Sequence, residues 1–178
     1  MTDHKTGYVA ILGLPNSGKS TLLNTLLGQK LSIITSKPQT TRKRILGIFS
    51  EEKYQIIFLD TPGILSPSYL LQEKMMEEVK TSLDDADVIV LIIDVKEDTF
   101  AEKLFSQEFV KESVFKSGKP KLLVLNKIDL ITQGKVNDLI KHFESQDIFE
   151  EVIPISASQN FNILRVREDI IRFLPEGP

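Results

Sequence analysis

The chain alternates short, almost wholly apolar runs with stretches in which apolar residues recur every three or four positions. Tyr8 to Leu12, Tyr54 to Leu59, Val88 to Ile93, Lys121 to Leu125 and Glu151 to Ile155 are the apolar runs. Most are apolar on both faces, the mark of strands in a sheet covered on both sides. Leu71, Met75, Val79 and Leu83 share one helical face, as do Val136, Leu139, Ile140 and Phe143, and each set predicts a helix packed on that sheet. Met75 and Met76 are read as core filling, because a thioether chain adapts to irregular gaps. Ile45 to Phe49 is followed by Ser50-Glu51-Glu52-Lys53 and then by another strand, which predicts a hairpin and so one antiparallel edge strand. The sum is a three-layer α/β domain with a mostly parallel, six-stranded sheet.

Several of these strands end in residues suited to chemistry. Gly13-Leu14-Pro15-Asn16-Ser17-Gly18-Lys19-Ser20 joins the first strand to a helix that continues through Thr21, Leu22 and Leu23. GxxxxGK[ST] in this context is a phosphate loop. Glycine at both ends lets backbone N–H groups turn inward and delivers phosphates to the positive end of the helix. Lys19 reaches the outer phosphates, and the Ser20 hydroxyl ligates the accompanying Mg²⁺. Gly13, Asn16, Ser17, Gly18, Lys19, Ser20 and Thr21 are thus expected to line a nucleoside triphosphate. Ile56 to Leu59 runs into Asp60-Thr61-Pro62-Gly63, where Asp60 is placed to hold Mg²⁺ through water and Gly63 to bring its N–H to the terminal phosphate.

Leu122 to Leu125 runs into Asn126-Lys127-Ile128-Asp129. Asp129 is suited to accept from two N–H groups of guanine at once, Asn126 to bond the base edge, and the Lys127 stem to lie over the ring. Adenine would leave that carboxylate unpaired, which supports discrimination of roughly 10⁴. Ser156-Ala157-Ser158, after the last strand, offers small residues whose backbone N–H groups approach the guanine oxygen.

Composition narrows the class. The 178 residues suit one domain with a sizeable core, and with no cysteine there is no disulfide. His4 and His142 are read as surface residues. The longest apolar run, Val88 to Ile93, is far shorter than the roughly 20 residues that cross a bilayer, and the N-terminus carries no apolar signal core. Asp84-Asp85-Ala86-Asp87 reads as a solvated turn. A net charge of −3 gives no overall nucleic-acid footprint, so Arg42-Lys43-Arg44 is taken as a solvent-facing segment, with contact to RNA phosphates as the alternative.

The ordered set GLPNSGKS, DTPG, NKID and SAS resembles the translation-factor-related P-loop GTPases. KPQTTRKRILGI at Lys37 to Ile48 and the ending FLPEGP resemble the Era-like branch, and the resemblance covers essentially the whole chain. It implies a Ras-like G domain over residues 1–174 that binds GTP and GDP and hydrolyses GTP slowly. It implies Mg²⁺ held by Ser20, Thr41 and Asp60, with Thr40 as the alternative to Thr41, and a catalytic group of Lys19, Thr41 and Gly63. Two departures from the Ras-like pattern stand out: Ile64 where a Gln orients the attacking water, and Gln39 where some relatives supply an arginine. By the same resemblance, Asn16 helps hold K⁺ where an arginine finger would put its charge. Era-like proteins act in small-subunit assembly on 16S rRNA through a C-terminal KH domain that these residues do not include, so residues 175–178 are read as the start of a linker. A cytoplasmic monomer with peripheral membrane association completes what the resemblance implies. Two other readings stay open: a nucleotide-gated binding module with incidental hydrolysis, and an ATP-using P-loop kinase, which Asn126-Lys127-Ile128-Asp129 disfavours.

Overall fold

The computed structural model describes residues 4–28, 31–32, 45–61, 63 and 70–177. Gln39, Thr40, Thr41, the basic residues 42–44 and Ile64 lie outside them. The strands are β1 (Lys5–Gly13), β2 (Leu31–Ser32), β3 (Ile45–Ser50), β4 (Tyr54–Leu59), β5 (Val88–Asp94), β6 (Lys121–Asn126) and β7 (Glu151–Pro154). They lie in the order β2-β3-β4-β1-β5-β6-β7. β1 pairs in parallel with β4 and β5, as do β5 with β6 and β6 with β7, whereas β3 runs antiparallel to β4. The six longer strands form the expected sheet. Two-residue β2 adds to the outer side of β3 through the pairs Leu31–Phe49 and Ser32–Ile48, so the antiparallel strand lies one place in from the edge.

The helices are α1 (Lys19–Leu27), α2 (Leu70–Asp85), α3 (Glu102–Phe105), α4 (Gln133–Glu144) and α5 (Ile163–Phe173). Strand alternation sorts the core into two layers. Val9, Ile11, Val90 and Ile92 point to the side of α1 and α5, where they meet Leu22, Leu26, Val166 and Ile170. Ala10, Leu12, Ile89, Leu91 and Ile93 point to the opposite side, where Val79, Leu104, Leu139 and Phe143 cover them. All seven residues of β5 are buried, which places that strand at the centre of the molecule.

Two local readings change, and a third segment gains a structural setting. Asp87 is not a solvated turn residue: its carboxylate accepts from the Tyr8 N–H at 2.8 Å. His4 is half-buried, with Nδ1 at 3.0 Å from the Gly177 carbonyl oxygen. The segment expected to open a linker lies against the start of β1, with Thr6 N–H on the Pro175 carbonyl and Gly177 N–H on the His4 carbonyl. Parallel topology brings the carboxyl ends of β1, β4, β5, β6 and β7 to one edge of the sheet, which is where open α/β sheets place ligands.

Candidate nucleotide site

Gly13 closes β1 in register with Ile92 of β5, and a side chain there would sit 2.7 Å from both Ile92 Cγ2 and Ser17 Oγ. The loop then turns through Asn16 at φ 66° and Gly18 at φ 104° into α1. No side chain caps that helix and its first turn holds no acid, so its N-terminal N–H groups and positive dipole end are left for an anion. Ser17 Oγ is buried with no hydrogen-bond partner among the described residues. A buried orphan hydroxyl beside an uncapped helix start suits a phosphate oxygen, and the residues present fit that group.

The rim opposite the loop is the end of β4. A cavity of about 370 Å³ is lined by Asn16, Lys19, Ser20, Asp60, Thr61 and Gly63, among others, so Asn16, Lys19, Ser20, Asp60 and Gly63 of the residues expected at the phosphates and Mg²⁺ converge, while Thr41 lies outside the described residues. Lys19 Nζ donates to the Thr61 carbonyl at 3.0 Å, and the Thr61 hydroxyl donates to the Ile11 carbonyl. Burial pulls the Lys19 ammonium down to about 8, against a smaller upward pull from the Asp60 carboxylate. Gly63 approaches the loop so closely that a β-carbon would lie 3.0 Å from Pro15 N, which places this backbone beside the phosphate loop. Ser20 and Thr21 are exposed on the first turn of α1.

The base-recognition residues gather next to it and hold one another through several of their polar groups. Asn126 ties two loops together through its amide, with one N–H left for a base edge. Its Nδ2 donates to the Ser17 carbonyl at 3.0 Å and its Oδ1 accepts from the Ala157 N–H at 3.0 Å, so it braces the phosphate loop against the loop after β7. The backbone N–H of Ser156 is likewise taken, by the Phe161 carbonyl at 3.3 Å. Ser156 instead uses its hydroxyl to donate to Asp129 Oδ1 at 2.8 Å. That bond orients an otherwise exposed carboxylate and leaves it room to accept more donors. Lys127, at φ 70°, sends Nζ to the Asn16 carbonyl at 3.3 Å and to Asp94 Oδ2 at 2.7 Å. Asp94 is the residue the motif reading does not single out. Its signal is the one that marks Asp60, an acid ending an apolar strand.

The chain is similar to known proteins along nearly its whole length. The GTPase Era of Alkaliphilus metalliredigens is 40% identical over 176 residues, which cover 98% of this chain and 58% of that protein. A structure of an Aquifex aeolicus Era variant bound to GDP·AlF4⁻ superposes with a TM-score of 0.82 at 42% identity, covering 98% of this chain and 58% of that one. Era in complex with MgGDPNP and nucleotides 1506–1542 of 16S rRNA superposes with a TM-score of 0.80 at 44% identity, covering 98% and 59%. The chain thus spans well under two thirds of these relatives. The model of the 50S ribosome-binding GTPases matches residues 8–127, a stretch that holds the phosphate loop, Asp60, Gly63 and Asn126, and the chain belongs to that family.

Proposed function

We propose that this chain is a guanine-nucleotide switch that hydrolyses GTP to GDP and phosphate with Mg²⁺. The observation that carries the reading is a cavity in which the start of α1, Lys19, Ser20, Asp60 and Gly63 face one another. The loop and helix N–H groups bind the phosphates, and Lys19 supplies positive charge once their anionic oxygens favour its protonated form. Ser20 and Asp60 are the described residues that would hold Mg²⁺, which contributes charge neutralisation at the phosphate oxygens. Gly63 offers a backbone N–H where no side chain intervenes. Ile64 can neither orient nor donate to an attacking water, so turnover is slow without a partner or a further cation.

Base choice rests on Asp129. Competition against the bound nucleotide tests it: GDP should displace far better than ADP, and equal competition would favour the kinase reading. In Asp129→Asn the preference should move from guanosine to xanthosine nucleotides, because the amide NH₂ can donate to the 2-oxo group of xanthine but faces the donating 2-amino group of guanine. An unchanged guanosine preference would remove Asp129 from the site.

We further propose that K⁺ binds beside the phosphates with Asn16 as a ligand, which its exposed place at the loop tip supports. An arginine finger is worth about 10³ to 10⁵ in rate, so a cation in part replacing it should give about tenfold or more. GTP hydrolysis should rise when K⁺ replaces Na⁺ at constant ionic strength, and Asn16→Ala should remove the rise. Equal rates in the two salts would refute the K⁺ site. The likeness to a relative solved with 16S rRNA supports a place in small-subunit assembly. We propose that role for this protein, together with cytoplasmic location and peripheral membrane contact.

A further inference from the structure

Asp94 belongs to none of the nucleotide motifs, yet it touches one of them through Lys127 and reaches the phosphate loop by way of that same side chain. β5 is buried along its whole length and ends on Asp94, in register with Asn126 of β6, so the residue after Asn126 emerges beside the carboxylate. Oδ1 accepts from the N–H groups of Lys96 at 2.9 Å and Glu97 at 3.1 Å, which fixes the rotamer. Oδ2 is then aimed at Lys127 Nζ, 2.7 Å away, and the same ammonium reaches the Asn16 carbonyl at 3.3 Å. The Asp94 side chain is 11% exposed and that of Lys127 34%, so this charge-assisted bond is less screened than a surface pair. Lys127 holds a left-handed backbone at φ 70°, unfavourable for a residue with a β-carbon, and its contacts must hold it there.

We propose that Asp94 is the positioning residue for Lys127: its carboxylate pins the ammonium against the Asn16 carbonyl, so that the base-recognition loop and the phosphate loop are set as one unit. The inference rests on the guanine-nucleotide reading above. Asp94 would act on affinity through Lys127, without touching the nucleotide. If it merely capped the turn at Lys96 and Glu97, its loss would lower stability whatever residue stood at 127.

Asp94→Asn keeps an oxygen for those two N–H groups and turns an amide NH₂, a donor, toward Lys127. The GDP dissociation constant is measured for the wild type, D94N, K127M, the double variant and D98N. Asp98 is a comparably buried acid whose carboxylate accepts from the Lys103 and Leu104 N–H groups and serves as the control. D94N should weaken GDP binding about tenfold, the double variant should lie within about twofold of K127M, and D98N should change binding by less than about twofold. Independent, multiplicative effects of D94N and K127M would overturn the proposal, as would an equal loss in D98N. If D94N fails to give a cooperative thermal transition, Asp94→Ser, which also keeps a capping oxygen, takes its place. Failure of both to fold makes Asp94 a fold residue and overturns the proposal too. A wild type that does not prefer GDP to ADP would sink the nucleotide reading itself, whereas normal wild-type binding with additive variants would sink only this inference.

Discussion

At the scale of single residues, the site works by holding groups in conditions they would not choose. Lys19 is the clearest case, since burial lowers its pKa to about 8 from 10.5. In the unfolded chain it stays protonated up to about pH 10.5, so between about pH 8 and 10.5 the unfolded state binds more protons and folding stability rises with pH. Nucleotide binding runs the other way. Phosphates favour the ammonium, so binding takes up a proton wherever the free protein has lost it, and affinity falls as pH rises through about 8. The GDP dissociation constant should therefore rise about fourfold between pH 7 and 8.5, with proton uptake visible as buffer-dependent heats in calorimetry. A flat profile over that window would show that Lys19 stays charged in the free protein. Gly18 stores a different constraint: at φ 104°, a β-carbon would lie 2.1 Å from Asn126 Nδ2. Gly18→Ala must strain the backbone and push Asn126 off the Ser17 carbonyl. A stability loss of about 2 kcal/mol or more is expected in denaturant melts, with GDP affinity falling alongside.

At the scale of elements, legibility in the sequence tracks how local the cause is. Val88 to Ile93 reads as a buried strand because its own residues say so. The start of β1 does not: Lys5, Thr6 and Gly7 have no apolar pattern and join the sheet by backbone pairing with Tyr54, Gln55 and Ile56. The four-residue α3 has no period to detect. It exists because Asp98 caps Lys103 and Leu104 and because Phe105 packs edge-on to Phe115 and Phe143. The phosphate loop is legible as a motif, whereas the bracing role of Asn126 is not, since its partner Ser17 is 109 positions away. Arg167 is a similar long-range tie. From α5 it donates to the Leu26 carbonyl at 2.6 Å near the end of α1 and lies 4.2 Å above the Phe49 ring of β3. The hydrogen bond and the ring contact are each worth about 1 kcal/mol, whereas the buried Nε, without a hydrogen-bond partner among the described residues, costs a comparable amount. Arg167→Met, which keeps the apolar stem, should thus lower stability by about 1 kcal/mol, or about 2–4 °C in melting temperature. A rise in melting temperature would mean that the orphan nitrogen outweighs both contacts.

At the scale of the whole molecule, charge decides what else this chain binds. Its net charge is −3, and several basic side chains are already spoken for. On α5, Arg165 and Arg172 pair with Glu151 and Asp169, and elsewhere Lys127 pairs with Asp94 and Lys116 with Glu112. Cations neutralised in this way have little left to offer RNA phosphates, because affinity for nucleic acid comes mainly from positive charge that displaces condensed counterions. The 178-residue chain should accordingly bind a 3′-terminal 16S rRNA fragment only in the non-specific range, with Kd about 10⁻⁴ to 10⁻⁶ M near physiological salt, weakening steeply as salt rises. Binding should also be indifferent to fragment sequence, since phosphate contacts carry no base information. Filter binding or anisotropy over a salt series, with a scrambled fragment of equal length, measures both properties. Nanomolar, sequence-selective binding would contradict this charge argument and direct attention to Arg42, Lys43 and Arg44, the one run of three consecutive basic residues in the chain.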